Sequence, residues 1–241
     1  MITQSSFKPA WWLRNRHAQT IWPSLFRRRP KLELHRERLE LPDGDFLDLD
    51  WTEKSHGPIV IVLHGLEGNQ HSHYTKTLLK HLSQTGHQAV LMYFRGCSGE
   101  TNRRPRAYHS GETGDIGYVA SQISERFPDR PIYAVGISLG GNVLLKWLGE
   151  TGKTNPLSRA VAISVPFDLA NVAIQLDRPE SKIHQRHLVN KLQRSLQARL
   201  EKMALPIDIQ AAQHSTTIWD YDKWLTAPLH GFDGAEDYYR K

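Results

Sequence analysis

The sequence contains one cysteine, Cys97, so it cannot form an internal disulfide bond. It has no apolar run near the roughly 20 residues that a helix needs to span a bilayer. Its first residues lack the basic and apolar regions of a secretory signal peptide. Internal repeats and low-complexity segments are also absent. We therefore expect a soluble, cytoplasmic protein in a reducing compartment, with peripheral contact to membrane surfaces left open.

The composition is that of a folded domain. Of 241 residues, 39% are hydrophobic and 23% are charged, which is enough for one large α/β domain or two small ones. The net charge of +6 suits an acidic partner, but most basic residues are scattered and no nucleic-acid-binding motif accompanies them. We therefore expect no nucleic-acid partner.

The spacing of apolar residues predicts an α/β fold. Residues 32–52 alternate apolar and polar side chains around "PDGD", which indicates an antiparallel hairpin. Short apolar runs and helical periodicity then alternate along the chain. The predicted strands are 58–63, 88–94, 131–138 and 159–167, and the predicted helices are 73–84, 111–127 and 139–150. Alternation of this kind favours βαβ units and a mostly parallel sheet.

The two ends of the chain differ from this pattern. Leucines every four residues predict an amphipathic helix over 182–203, which we interpret as a cap helix with a solvated basic face rather than a membrane-surface helix. We predict a core at 1–167, with its N-terminal arm and hairpin, and a helical cap at 168–241. Residues 1–30 mix tryptophan with arginine, as an interfacial anchor would, but we favour an arm packed on its own domain.

The segment "GISLG", residues 136–140, places Ser138 between two glycines. Alone this G-x-S-x-G pattern is weak, but Ser138 follows a predicted buried strand and precedes a predicted helix, as in a nucleophile elbow. Such a turn strains the serine backbone, and the glycines let neighbouring segments approach closely. At a helix N-terminus the dipole also favours developing negative charge. We therefore predict that Ser138 is a catalytic nucleophile rather than a bystander in a glycine-rich turn.

The segment "HGLEG" follows the predicted strand 58–63. Oxyanion holes at nucleophile elbows commonly use the N–H after the nucleophile and one from this earlier loop. We therefore predict the N–H groups of Leu139 and Leu66 as the donors. His64 is interpreted as structural, because the catalytic base is expected after the serine in the chain.

Two further features are interpreted without a catalytic role. His71 and His73 form an H-x-H pair with no nearby third ligand, so we predict no metal site. Cys97 lies in "FRGCSG" and is interpreted as a turn residue, because no motif places a base beside it.

Several blocks, in the same order along the chain, resemble the YheT-like branch of the α/β-hydrolase superfamily, a set of predicted esterases and lipases that includes animal lipid enzymes. The blocks are "LRNRHAQTIWP" (13–23), "DGDFLDLDW" (43–51), "HGLEGNQHSHY" (64–74), "FRGCSGETNRRPRAYHSGETGDI" (94–116), "GISLGGNVLLKWLGE" (136–150), "SVPFDL" (164–169) and "TAPLHGFDGAEDYYRK" (226–241). The resemblance implies an α/β-hydrolase core with a helical cap and a serine nucleophile matching Ser138. It implies hydrolysis of carboxylic esters, either small molecules or lipids, without a cofactor.

The resemblance also implies a triad acid after the next parallel strand and a histidine after the last one. Nothing after residue 168 shows that pattern, so we expect a chain truncated at its C-terminus, without the last strands. Asp168 could serve as the acid but is better interpreted as a helix N-cap. The histidines after Ser138 lie in the predicted cap, and no motif supports any of them as the base. They are His184, His187, His214 and His230.

Without further strands, the strand 159–167 should form an exposed apolar edge, which favours aggregation. Two functions from different classes follow. The first is a serine esterase or lipase that works through an acyl-enzyme, impaired by loss of the acid and histidine. The second is an inactive remnant that binds lipid or a protein partner. A third reading is that a separate chain supplies the missing strands, and the oligomeric state is left open.

Overall fold

The computed structural model describes residues 3–28 and 30–241. Six strands form one mixed sheet: β1 (His35–Glu40), β2 (Phe46–Trp51), β3 (Ile59–Leu63), β4 (Gln88–Met92), β5 (Ile132–Ile137) and β6 (Leu157–Ile163). Their order across the sheet is β1-β2-β4-β3-β5-β6. This is the predicted α/β-hydrolase arrangement, in which an antiparallel hairpin joins parallel strands.

The hairpin forms where the sequence predicts it. β1 pairs antiparallel with β2, and β2 continues antiparallel onto β4. In the turn, Gly44 has a φ of 81°, a left-handed conformation that glycine adopts without steric cost. The Asp45 N–H donates to Oδ1 of Asp43 at 3.0 Å. The turn residues therefore account for the position of the hairpin.

The strands β3, β4, β5 and β6 run parallel to one another. β3 and β4 are buried along their whole length, which explains why their sequences are continuous apolar runs. Parallel strands present their carboxyl ends at the same edge of a sheet, where α/β proteins bind ligands. The loops after β3 and β5 therefore meet at that edge.

The helices lie in the arm, in the connections between strands and in the segment after β6. They are α1 (Arg16–Phe26), α2 (Thr75–Gln84), α3 (Gly114–Arg126), α4 (Leu139–Thr151), α5 (Leu169–Asp177), α6 (Lys182–Leu200), α7 (Ile209–Gln213), α8 (Ile218–Tyr221), α9 (Ala227–His230) and α10 (Ala235–Arg240). A π-helical turn, Asp222–Thr226, joins α8 to α9. α2 packs on β4, and α4 packs on β5 and β6.

The segment after β6 is helical throughout, as its sequence predicts. Residues 164–241, all of which the structure describes, contain no strand. They have an apolar cluster of their own, formed by Leu192, Leu196, Leu205, Ala212, Tyr221 and Leu225. α6 ends at Leu200, three residues before the predicted end of this helix, because Glu201 begins a turn.

Buried charges join the hairpin turn to the loop after β4. Arg95 donates to both carboxylate oxygens of Asp115, at 2.7 and 2.8 Å. Its other terminal nitrogen donates to Asp43 at 2.8 Å and to Asp45 at 3.1 Å. A buried guanidinium needs such partners, because desolvating it is costly unless its donors are satisfied. The network joins three separate segments of the chain, at Asp43 and Asp45, Arg95 and Asp115, and no sequence pattern predicted it.

β6 is an edge strand among the described residues, as expected. The strand is shorter at its C-terminal end than the predicted 159–167, because Ser164 turns the chain with a φ of 53°. Val161 is 54% exposed on this edge. Phe167, placed in the strand by the sequence analysis, lies instead beyond it and is 82% exposed.

The N-terminal arm packs on its own domain only in part. The sequence analysis favoured such packing, and the structure shows it at the contact between α1 and α6. α1 contains no buried residue. Its contact with α6 includes a hydrogen bond between His17 Nδ1 and His184 Nε2, at 3.1 Å. Among residues 3–28 and 30–241, no helix is long and apolar enough to cross a membrane.

Candidate active site

Ser138 lies between the last residue of β5 and the first residue of α4. Its φ is 54° and its ψ is −120°, a conformation that non-glycine residues rarely adopt. Its N–H donates to the carbonyl of Ile163 on β6 at 2.8 Å. The turn is therefore as sharp as the motif predicts.

The glycines of the motif are needed for close packing. A Cβ on Gly140 would lie 2.5 Å from the carbonyl oxygen of His64 and 2.6 Å from that of Leu63. A Cβ on Gly136 would lie 2.7 Å from the Cα of Gly141. Helix α4 can start against β3 and β5 only because these positions lack side chains.

The two predicted oxyanion donors have free N–H groups. Within residues 3–28 and 30–241, the backbone N–H groups of Leu66 and Leu139 donate no hydrogen bond. Leu139 is the first residue of α4, where helix N–H groups have no intrahelical acceptor. The loop of Leu66 is close to the serine, because a Cβ on Gly65 would lie 3.3 Å from the Cβ of Ser138. Two free donors and a serine therefore converge at one edge of the sheet.

Two tyrosine hydroxyls hold the loop that carries Leu66. The Gly65 N–H donates to Tyr74 Oη at 2.9 Å, and the Glu67 N–H donates to Tyr108 Oη at 2.8 Å. The Tyr108 hydroxyl in turn donates to Oε1 of Glu67 at 2.8 Å. Glu67 has a φ of 50°, and burial raises the pKa of its carboxyl. The N–H groups on both sides of Leu66 are thus occupied, while that of Leu66 is free.

His64 has the geometry of a structural residue. The ring is fully buried, Nδ1 is 2.7 Å from the carbonyl of Gly65, and Nε2 accepts the N–H of Phe94 at 3.2 Å. Burial lowers the pKa of His64 to about 4, so the ring is neutral at physiological pH. Since backbone groups occupy both ring nitrogens, neither is available to Ser138.

Cys97 lies in a buried turn, as interpreted from the sequence. Its N–H donates to the carbonyl of Phe94 at 3.0 Å. Burial raises the pKa of the thiol well above its usual value. A thiol that stays protonated is a poor nucleophile.

A cavity of about 1080 Å³ opens beside Ser138. Core residues line one side of it, among them Leu66, Ser138 and Leu139, and α5 and α6 contribute apolar side chains opposite. Two α6 cations, Lys191 and Arg199, also line it. Pockets of this size bury most of a drug-sized or acyl ligand, and this one is enclosed largely by apolar side chains.

Three histidines have their contacts elsewhere: His64 with the carbonyl of Gly65, His184 with His17, and His214 with the carbonyl of Gln210. Five histidines line the same cavity: His71, His73, His109, His184 and His187. The other two histidines of the predicted cap do not line it. His214 contacts the carbonyl of Gln210, and His230 packs on His109. The cavity therefore holds candidate bases for Ser138.

Asp168 acts as an N-cap, as preferred from the sequence. Its Oδ1 accepts the N–H of Asn171 at 2.9 Å and begins α5. Among residues 3–28 and 30–241, no group of three or more histidine, cysteine, aspartate or glutamate side chains could hold a metal ion. His71 and His73 lie on the cavity wall.

Comparison with known proteins agrees with this geometry. Residues 58–205 match the family model described as the alpha/beta hydrolase fold. Over 99% of its length the chain is also 40% identical to the putative esterase YheT of Escherichia coli. The chain belongs to the α/β-hydrolase family. This α/β hydrolase is of the YheT-like type that the sequence blocks indicated, and homologues of it are named a putative esterase and a phospholipase.

The chain spans only part of the length of the relatives that it matches. It spans 72% of the E. coli protein, and 60% of mouse phospholipase ABHD3, to which it is 26% identical over 99% of this chain. Among solved structures, the Pyrococcus furiosus esterase Pf2001 is similar with a TM-score of 0.53 and 19% identity. That similarity covers 68% of this chain and 67% of the esterase, and it concerns the fold.

Proposed function

We propose that this hydrolase cleaves carboxylic esters through an acyl-enzyme in which Ser138 is the nucleophile. One observation carries the proposal: a serine in a strained strand-to-helix turn borders a large apolar cavity, and two free N–H groups lie next to it. Strain of this kind persists at functional sites because the surrounding structure imposes it. The helix N-terminus at Leu139 favours negative charge at the same place.

The mechanism follows from these positions. The Oγ of Ser138 attacks the acyl carbon and forms a new C–O bond, and the serine proton passes through a base to the departing alcohol. While the intermediate is tetrahedral, the N–H groups of Leu66 and Leu139 donate to its oxyanion. Water then attacks the acyl-enzyme, releasing the carboxylic acid and restoring the serine. One ester and one water thus yield one acid and one alcohol.

The cavity supports a small-molecule or lipid ester as substrate. Its volume and apolar side chains suit an acyl group, since burying apolar surface is the main favourable contribution to such binding. The printed names of the relatives, an esterase and a phospholipase, agree with that class. We also propose the division into a core at 1–167 and a helical cap at 168–241, because the cap has its own apolar cluster.

A second candidate function is binding without turnover. It is favoured by one observation: after Ser138, Asp168 caps α5, and His184 and His214 contact other groups. An unactivated serine hydroxyl is a weak nucleophile, and losing triad members typically leaves only about 10³–10⁴-fold catalysis over water. The cavity would then hold a lipid or an apolar ligand without cleaving it.

Hydrolysis of short p-nitrophenyl esters separates the two candidates. We expect turnover by the wild type, a loss of at least about 10³-fold in Ser138→Ala, and unchanged turnover in the surface variant Ser121→Ala. Equal rates in wild type and Ser138→Ala would overturn the serine mechanism. A folded wild type that binds the ester without cleaving it would favour the binding function.

A further inference from the structure

The N-terminal arm exposes a cluster of large apolar side chains. Trp11 is 81% exposed, Leu25 is 69% exposed and Phe26 is 64% exposed, and Trp12 and Trp22 lie beside them. The Trp12 and Trp22 rings meet edge to face at 5.1 Å, and the Trp22 and Phe26 rings are 5.7 Å apart. We call these five residues the arm surface. It is a contiguous apolar surface and not a set of isolated side chains.

The arm is also strongly basic. The sequence has seven lysine and arginine residues up to Lys31 and its first acidic residue at Glu33. None of the basic residues described in this segment forms an ion pair with an acidic side chain. Arg27 and Arg28, which follow α1, are also exposed. Their charge is therefore available to an anionic partner.

The arm surface adjoins the cavity of Ser138. Thr20, Ile21, Ser24 and Leu25 of α1 line that cavity. The stacked rings of His17 and His184 hold α1 on the N-terminal turn of α6, where Ile183 is exposed as well. A surface that accepted lipid at the arm would therefore lie next to the cavity that Ser138 lines.

We propose that the arm docks this protein on an anionic lipid bilayer, with the arm surface in the headgroup region and Arg27 and Arg28 against lipid phosphates. Tryptophan and arginine side chains together suit that region, since the ring is amphipathic and the guanidinium meets the phosphate. Charge complementarity selects a bilayer over a second copy of this chain, because two basic arms repel each other. Delivery of lipid esters to Ser138 would follow, a consequence that rests on the proposed function.

Vesicle co-sedimentation of the full-length wild type tests the docking. Vesicles of ether-linked phosphatidylcholine, with and without ether-linked phosphatidylglycerol, resist ester hydrolysis, so binding is measured independently of turnover. We expect binding to the anionic vesicles, with at least about tenfold weaker binding to neutral vesicles or at high salt. This readout separates failure of docking from failure of the hydrolase function.

Matched variants assign the binding to the arm. Trp22→Ser with Phe26→Ser, and separately Arg27→Glu with Arg28→Glu, should each weaken binding at least about tenfold. Phe167→Ser, at an exposed phenylalanine elsewhere, and Lys153→Glu, at an exposed lysine, should leave it unchanged. Because α1 buries no side chain, the arm variants should keep the thermal unfolding temperature of the wild type.

Two outcomes would overturn the proposal. One is absence of binding to anionic vesicles by folded wild type, or equal binding by wild type and both arm variants. The other is a wild type that is dimeric by size exclusion and becomes monomeric in the arm variants without any vesicle binding. In that case a second copy of the chain covers the arm surface instead of lipid.

Discussion

At the residue scale, Ser138 keeps a left-handed backbone because hydrogen bonds hold it on both sides. Its N–H donates to Ile163 on the neighbouring strand at 2.8 Å, and its carbonyl accepts the N–H of Asn142 in the first turn of α4 at 3.0 Å. A serine at a φ of 54° persists only where such contacts impose it. The backbone of Ser138 is therefore held at the cavity wall before any ligand binds.

Asp222 should make the stability of the protein depend on pH. Its carboxylate accepts hydrogen bonds from Tyr239 Oη at 2.6 Å and Thr226 Oγ1 at 2.7 Å. Burial raises its pKa from 3.8 to about 6. The folded state therefore binds this proton more tightly than the unfolded state does. The resulting stabilisation is fully present below about pH 4 and is lost as the pH rises through about 6.

The variant Asp222→Asn measures this contribution. We expect the unfolding free energy of the wild type, minus that of the variant, to fall by about 1–3 kcal/mol as the pH rises from about 4 to about 7. Urea unfolding at several pH values gives the difference, and Asp129→Asn, at an exposed carboxylate, is the matched control. A difference that does not change with pH would show that Asp222 is not buried as described.

Sequence reasoning could find Ser138, Leu66 and Leu139, because two short motifs order them along the chain. It could not find Tyr74 or Tyr108. Both lie in blocks that carry the family resemblance, but their hydroxyls reach the backbone of residues 65–67 only after the chain has folded, and no motif assigns a tyrosine to that contact. Long-range side-chain contacts of this kind leave no periodic signal in a single sequence.

At the element scale, the junction of β5 and α4 depends on the absence of side chains. In Gly140→Ala, the new Cβ would lie 2.5 Å from the carbonyl oxygen of His64, a backbone atom that cannot turn away. Overpacking of this kind typically costs about 1–3 kcal/mol, so we expect a fall of that size in the unfolding free energy.

Gly149→Ala is the matched control on the same helix. A Cβ there has no heavy atom within 4 Å, so we expect this variant to be more stable by about 0.5–1 kcal/mol. Chemical denaturation of both variants gives the comparison. If Gly140→Ala unfolds like the wild type, the close approach of α4 to β3 is not present.

The elements differ in how far the sequence predicts them. β3 and β4 are found within one or two residues of the predicted bounds, because strands buried on both faces are short apolar runs. The end of β6 was placed too late. The apolar run continues through Val165 and Phe167, but the chain turns at Ser164, and the pairing of β6 with β5 ends there. The residue before the turn, Ile163, accepts the N–H of Ser138.

At the scale of the whole molecule, the sheet has an apolar edge at β6. An edge strand presents unpaired N–H and C=O groups, and exposed apolar side chains beside them favour pairing with another chain. We expect concentration-dependent self-association in sedimentation velocity, which Val161→Lys should reduce. Ile209→Lys changes an exposed apolar residue on α7 and should leave the association unchanged. Association that is equal in the wild type and Val161→Lys would show that β6 is not the contact.

The central claim is that Ser138 is an activated nucleophile, and a fluorophosphonate probe tests it most directly. We predict covalent labelling of the folded wild type, mapped by peptide mass spectrometry to Ser138, and none in Ser138→Ala. Ser164 is an internal comparison, because it lines the same cavity and has a φ of 53°. It should stay unlabelled. Absence of label on the folded wild type, or equal labelling of wild type and Ser138→Ala, would contradict the account.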